Sequence, residues 1–550
     1  MLLFENFSIW FKSILIDLFP TVDFNFIIVD FDYNDENSRL EFGDISSNMG
    51  FLLAKQLKKN PKEIAEIIKN YIQSHEAIDK VVLAGVGFIN IYFRDVLYRE
   101  YYKKLLLNDS LLYKINKSNK KYNIEFVSAN PTGPLHIGHG RGGIIGDVCA
   151  KVLALKGYQV VSEYYINDAG VQIEKLGKSL YYQYGILSQK EVIFPDGGYQ
   201  GEYIVDIAKK LYQKYQDTLL EKDIVWFSEH AKNILLTQIQ ATLLDYQIEY
   251  QVWFSEKILH VNNAINEAVN QLSNKGFTYF SDEGTLWFKS TVFGDEKDRV
   301  LKKSDGLWTY TAADIAYFLN KLARGFTDIV MILGQDHHSF KIRIEAIAQA
   351  LEFNLDNLKI ILYQLVTLKN EGEIIRMSKR KGNSIELKDI IDSVGSDVAR
   401  FFYLQRKADT HLDFDLKEAL EKSNKNPVFY IQYALVRIKS ILEKSKGFVD
   451  INDYSNSIDV IDVNIHERVL LRKIALFDSI LDQICDTYYP HVLTYYAIEL
   501  ATLFHAFYTL YPVISDDKNT TCYRLGLNYL VKQVLEKCAN LLGISIPERM

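Results

Sequence analysis

The sequence predicts a multidomain α/β protein: a doubly wound, Rossmann-type parallel sheet split by a mainly helical insertion, with an α+β appendage before it and an all-α helix bundle after it. Three observations carry this. Strand-helix-strand order opens at Ile124 and resumes at Asp328, helix-period apolar positions dominate much of the stretch between, and helical periodicity is almost unbroken beyond Ser396. At 550 residues the chain exceeds one core, and about three domains are expected. They are placed at 1–115, at 120–395 with an insertion at about 172–300, and at 396–550.

In the first domain, apolar strands at Phe26–Phe31, Val81–Leu83 and Phe88–Phe93 flank helix-rich sequence, and the Lys-rich stretch Asn108–Lys121 reads as a linker. The N-terminal apolar run is broken by Glu5, Lys12 and Asp17 and has no small-residue cleavage site after it, so an amphipathic helix is expected rather than a signal peptide. In the second, the β-type run Ile124–Ala129 breaks at Asn130-Pro131-Thr132-Gly133-Pro134. A helix follows from about Gly140 to Leu155, then a strand at Gln159–Ile166. Helical sequence runs from Asn167-Asp168-Ala169-Gly170 to about Lys275, followed by hairpin material with an Asp305-Gly306 turn. Asp328–Leu333, Ser339–Leu351 and Lys359–Leu365 restore strand-helix-strand order. In the third, helices are expected over Val398–Gln405, Pro427–Leu442, Glu467–Ile484, His491–Tyr511 and Tyr523–Leu542.

The formal net charge of −7 provides no overall basic field, so a nucleic-acid partner must be met by local Lys and Arg patches. Four cysteines without a C-x-x-C support neither a zinc ribbon nor a disulfide framework, and no protein-bound zinc is expected. No apolar run approaches the roughly 20 residues that span a bilayer. A cytoplasmic protein with no membrane partner is expected.

The chemistry concentrates in a few strings. Between the first strand and its helix, H-I-G-H places His136 and His139 around Gly138 at a helix start, where unpaired N–H groups favour phosphate. Glycine there admits a flat purine to the backbone, and the imidazoles can donate to oxygens that gain charge during attack at the α-phosphate of ATP. Some 240 residues on, E-G-E-I-I-R-M-S-K-R-K-G-N at 371–383 is a cationic loop after the last strand of the second half. Such a loop suits closure over a leaving pyrophosphate. Gly334-Gln335-Asp336-His337-His338 ends a strand. Its paired histidines diverge by about 100° on a helix and lack a third ligand at suitable spacing, so a nucleotide contact is preferred to a metal site. Tyr310 and Asp314 share a face if that segment is helical.

These strings, in this order and over nearly the whole chain, resemble class I aminoacyl-tRNA synthetases, and the words around them resemble the arginyl branch. The resemblance implies ATP, used with Mg2+, at His136, Gly138, His139, Gly334, Asp336, His337, Met377, Ser378 and Lys379, with His136, His139 and Lys379 catalytic. It implies L-arginine at Glu125, Asn130, Tyr310, Asp314 and, more weakly, Gln335. A guanidinium is planar, permanently charged and carries five donors, so a carboxylate in a fixed frame suits it; the resemblance assigns Asp314 to that task and Tyr310 to packing over the substrate. G-D-I-S-S-N at Gly43–Asn48, K-N-P-K-E-I-A at Lys59–Ala65 and A-G-V-G-F-I-N at Ala84–Asn90 resemble an appendage associated with the tRNA elbow. D-V-A-R at Asp397–Arg400 and the helices after it resemble an anticodon-binding bundle, where Tyr430 and Tyr433 could stack on bases and Arg437 and Lys439 meet phosphates. The implied partners are L-arginine, ATP and the cognate tRNA(Arg), the implied product is arginyl-tRNA made through arginyl-adenylate, and a monomer is expected. Three positions depart from the family pattern: Arg376 and Arg380 replace the first lysine and last serine of the lysine-methionine-serine-lysine-serine loop, and Leu435 stands where many relatives have histidine. Another class I synthetase remains the nearest alternative. A small-molecule nucleotidylyltransferase would share the H-x-G-H corner but leave both end domains unexplained, and an inert RNA-binding relative would have no use for the reactive residues that both signatures retain.

Overall fold

The structure, a computed structural model, describes residues 3–24, 32–33, 42–375, 385–446 and 453–550. At its centre are five strands: β1 (Lys121–Phe126), β2 (Gln159–Ile166), β3 (Val252–Ser255), β4 (Asp328–Gly334) and β5 (Leu358–Tyr363). Their spatial order is β5-β4-β1-β2-β3 and every neighbouring pair is parallel. This is a doubly wound sheet, and the order reverses between β1 and β4, where a crevice opens beyond the strand ends. Both faces are covered, so β1 and β4 are buried along almost their whole length.

Three helices matter to the site: α1 (Ile137–Leu155) after β1, α2 (Tyr310–Ala323) before β4, and α3 (His338–Ala350) after it. α1 lies hard against β1 because a Cβ on Gly146 would sit 2.2 Å from the Phe126 ring. The segment assigned to the insertion needs one correction: V-W-F-S at 252–255 is β3, the edge strand of the central sheet, flanked by the helices Ile224–Asp245 and Lys257–Val261. Four residues, three of them apolar, between helix-period segments show too little alternation to be recognised as a strand.

A small sheet of Val366–Asn370, Glu373–Ile374 and Leu412–Asp415 carries the hairpin that enters the second signature. Arg376, Met377, Ser378, Lys379 and Arg380 lie outside the described residues, as does the strand expected at Phe26–Phe31. The chain re-enters at Ile385 and is tied to the first signature: Ile137 N donates to Ile385 O at 3.0 Å and Leu387 N to Leu135 O at 2.7 Å. The two signatures therefore share one backbone junction.

The N-terminal unit has a helix at Glu5–Leu18 and an antiparallel sheet in the order Asp32–Tyr33, Ile45–Ser47, Phe88–Phe93, Ile78–Ala84. The bundle contains Ser396–Tyr403, Pro427–Ser445, Ile465–Thr487, His491–Leu510 and Lys518–Leu542. Asp44, within the Gly43–Asn48 string, joins the two units: its carboxylate accepts from Phe93 N at 2.6 Å and Tyr98 Oη at 2.7 Å, and it pairs with the fully buried Arg472 of the bundle. Arg400, also fully buried, ties the bundle to the centre, donating to Leu542 O at 2.7 Å and Tyr246 O at 2.6 Å and pairing with Asp147 on α1. No helix among the described residues is long and apolar enough to cross a membrane.

Candidate active site at the switch point

His136 is the N-cap of α1. Its Nδ1 accepts from Gly138 N at 3.1 Å, while His139 Nδ1 accepts from His136 N at 3.1 Å. The rings stack with centroids 3.6 Å apart. Burial lowers the pKa of His136, opposed by the Asp336 carboxylate, and burial together with His136 pushes His139 down to about 3. Both imidazoles are therefore neutral near pH 7, and because each Nδ1 accepts, each Nε2 carries the proton. Two neutral N–H donors thus stand at a helix N-terminus that already favours anions. A Cβ on Gly138 would come within 3.1 Å of the His136 ring, so glycine there also keeps that ring in place.

Beyond the ends of β1 and β4 lies a cavity of about 380 Å³ whose wall includes Glu125, Asn130, Tyr310, Asp314, Lys321 and Arg343. Tyr310 and Asp314 both lie on α2 and both reach the cavity. Asp336 lines it too, and its influence on His136 joins the cavity to the histidine pair. Gly334 ends β4, and Gln335–His337 form a 3-10 turn before α3; Gln335 is exposed and not part of the cavity wall. Asn130 Nδ2 donates to Gln172 at 3.0 Å.

Behind the cavity sits a charged layer that sequence reading missed. Lys321, buried, donates to Glu125 Oε2 and Asn123 Oδ1, both at 2.6 Å. Tyr317 Oη donates to Glu125 at 3.1 Å and to Glu163, and Arg324 pairs with Glu163 through both terminal nitrogens. Burial raises the Glu163 pKa, but Arg324, Lys321 and Tyr317 outweigh it and hold the carboxyl below its usual value. Glu125 therefore reaches the cavity with its charge already answered by Lys321. Ser128 Oγ donates to Glu125 Oε1 at 3.2 Å and accepts from Tyr165 N at 3.0 Å. It does so from a left-handed backbone, with φ of 66° at Val127 and 41° at Ser128, a conformation that costs a β-branched residue and occurs mostly at functional sites. The missed residues did leave one signal: Tyr317 and Lys321, with the C-cap Arg324, continue the helical face that carries Asp314.

Asp314 has a raised pKa of about 6: burial dominates, Arg343 opposes it, and Glu256 and Glu125 add to it. A carboxylate so placed is ionised at neutral pH but costly to leave unanswered, which suits a cationic ligand.

Comparison with known proteins agrees with this geometry. Residues 12–93 match the arginyl tRNA synthetase N terminal domain, 102–423 the class I (R) tRNA synthetase catalytic domain, and 431–550 the DALR anticodon binding domain. The chain belongs to the arginyl-tRNA synthetase family. It is 38% identical over 552 residues to the arginine–tRNA ligase of Aquifex aeolicus, covering 92% of this chain and 94% of that one. With the Lawsonia intracellularis ligase it shares 42% over 519 residues, again 92% and 94%. The Thermus thermophilus arginyl-tRNA synthetase structure shares the fold, with a TM-score of 0.77 at 20% identity over all of both chains.

In the bundle of this synthetase-family chain, Tyr430 and Tyr433 both lie against His505, at centroid distances of 4.6 and 5.7 Å. The Arg437 guanidinium lies 4.4 Å from the Tyr433 ring and 4.6 Å from the Tyr508 ring. Leu435 is fully buried in the core, so at this position the helix packs inward.

Proposed function

We propose that the chain joins L-arginine to tRNA(Arg) with ATP as its magnesium complex, and that the cavity beside the histidine pair is where arginine is activated. The observation that carries this is the placement of Asp314, a half-buried carboxylate in the cavity wall, next to a helix start bearing two neutral N–H donors. In the first step an arginine carboxylate oxygen attacks the α-phosphorus. The bond to the oxygen bridging the α- and β-phosphates breaks and pyrophosphate leaves. His136 and His139 donate to the phosphate oxygens as charge grows on them, and no protein nucleophile is needed. Lys379, with Met377 and Ser378, closes on the leaving group. Gly138, Gly334, Asp336 and His337 receive the nucleoside, and Gln335 is an outer contact. Asp314 takes the guanidinium, Tyr310 packs over the side chain, and Asn130 and Glu125 face the amino-acid backbone.

In the second step the 2′-hydroxyl of the terminal adenosine attacks the arginyl carbonyl and AMP leaves. Residues 1–115 meet the tRNA elbow and the bundle from 396 onward meets the anticodon, with Tyr430, Tyr433 and Arg437 as base and phosphate contacts. The chain acts as a cytoplasmic monomer. Amino-acid-dependent exchange of labelled pyrophosphate into ATP, run with tRNA across all the common amino acids, tests the assignment: exchange with arginine alone is expected, and exchange led by another amino acid rejects it.

A further inference from the structure

Arg343, on α3, faces Asp314, on α2, across one end of the cavity. Its Nη2 stands 3.0 Å from Asp314 Oδ2, with the side chains 21% and 17% exposed. This is an ion pair without hydrogen-bond alignment: Asp314 Oδ2 and Arg343 Nε are both buried with no hydrogen-bond partner among the described residues. Arg343 is held independently of that contact, since its guanidinium lies 4.9 Å from the Phe340 ring. The other charged and titratable groups facing Asp314 are Glu125 from β1, Glu256 before the helix Lys257–Val261, and Tyr165 from β2. Lys321, Asp336 and Tyr310 line the same cavity, and Lys321 is committed to Glu125 and Asn123. Among the described residues Arg343 is thus the one cation within ion-pair reach of Asp314.

We propose that Arg343 is a positioning residue for substrate recognition, holding the Asp314 carboxylate charged and turned into the cavity so that it can receive the guanidinium of arginine. The proposal rests on Asp314 as the guanidinium ligand. A cation placed beside a cation-binding group would ordinarily oppose the ligand, and two features resolve that. A carboxylate has about four lone-pair sites, so it can serve two guanidiniums, and the shortest resident contact is from Arg343 Nη2 to Oδ2. The nearby carboxylates Glu125, Glu256 and Asp336 keep the surroundings from becoming repulsive. Without Arg343, burial and those same neighbours would favour a protonated Asp314, which binds a guanidinium poorly.

The test compares Arg343→Met, Arg343→Gln, Arg343→Lys and Asp314→Asn with the parent, measuring KM for arginine, KM for ATP and saturated kcat from pH 5.5 to 8.5 in tRNA charging. Arg343→Met is expected to raise arginine KM about tenfold or more at pH 7, with ATP KM and kcat within about threefold. Its acid limb in arginine KM should move up by about one pH unit, a tenfold change in the protonation equilibrium, and the rest of the loss at pH 7 should come from the lost orientation of the carboxylate. Arg343→Gln should behave alike and serves if the methionine variant does not fold. Arg343→Lys should return the acid limb to its parent position. If arginine KM rises in Asp314→Asn but stays level or falls in both uncharged Arg343 variants, the positioning role is overturned, and a fall would make Arg343 a competitor for the site. If Asp314→Asn leaves arginine KM unchanged, the guanidinium assignment fails and the proposal with it.

Discussion

His136 and His139 cap the start of α1 between them: His136 Nδ1 accepts from Gly138 N and His139 Nδ1 accepts from His136 N, leaving the Nε2–H of each ring as a donor. Capping and catalysis can be separated by chemistry. Asparagine is among the best N-caps but lacks the Nε2 donor, so His136→Asn should keep stability within about 1 kcal/mol while adenylate formation falls about 10²–10³-fold, as for loss of one preorganised donor. Urea unfolding and single-turnover adenylate formation check this together. A fully active asparagine variant would reduce His136 to a cap.

The pH dependence should fall on arginine binding rather than on the chemical step. Asp314 must be ionised to bind a cation, and its raised pKa of about 6 means the competent form is lost as pH falls through that value. Arginine KM should therefore climb about tenfold per unit below pH 6. Saturated kcat should vary less over the same range, because burial pushes His139 down to about 3 and lowers His136 as well. Initial rates over an arginine titration at each pH decide the matter; an acid limb in kcat alone would place the titrating group elsewhere.

Lys321 is expected to be structural. Replacing it with methionine strands the Glu125 charge in the interior, and breaking a buried pair in this way costs about 3–5 kcal/mol. Combining it with Glu125→Gln should recover a large part of that loss, which a double-mutant cycle in urea would measure. Additive losses would show that the two groups do not answer each other.

Much of the central sheet was legible because its signals are local. β2 was expected over the residues it occupies, and α1 begins three residues before the expected Gly140, at Ile137. Asn130, Pro131 and Gly133 punctuate the gap between β1 and α1. β3 was not legible, since a four-residue edge strand carries almost no periodicity of its own. The charged layer was invisible for a different reason: Lys321 and Glu125 are 196 residues apart, and only the parallel pairing of β1 with β4, which packs α2 behind the strand end, brings them together. Asp314 was recognised through a resemblance, but its partner Arg343 lies outside the strings that carried it. The Asp44–Arg472 pair likewise shows the two end units touching one another, a contact that no single-sequence pattern encodes.

The loop bearing Lys379 should act on the leaving group. The described chain meets the first signature at Ile385 and Leu387, through Ile137 N to Ile385 O and Leu387 N to Leu135 O. Lys379→Ala is expected to slow adenylate formation about 10²–10³-fold, the scale for a lost charge contact in the transition state, with equilibrium tRNA binding little changed. Filter binding of labelled tRNA beside single-turnover activation separates the two effects; adenylate formation at the parent rate would remove Lys379 from the chemistry.

The most direct test of the whole account is arginine-dependent pyrophosphate exchange by the full chain, in rigorously RNA-free enzyme and with purified tRNA(Arg), at two salt concentrations. The N-terminal unit and the bundle contact each other through Asp44 and Arg472, and the bundle reaches α1 through Arg400 and Asp147; if tRNA engages both units as proposed, its binding can favour one arrangement of the activating site. Shifting an equilibrium from 1:99 to 99:1 takes about 5.5 kcal/mol of differential binding, and phosphate contacts supply that in a salt-sensitive way. The account predicts exchange with arginine that depends on tRNA and weakens as salt rises. Exchange of equal strength without RNA would contradict the coupling, and no arginine-dependent exchange with tRNA at either salt concentration would contradict the assignment of the site itself.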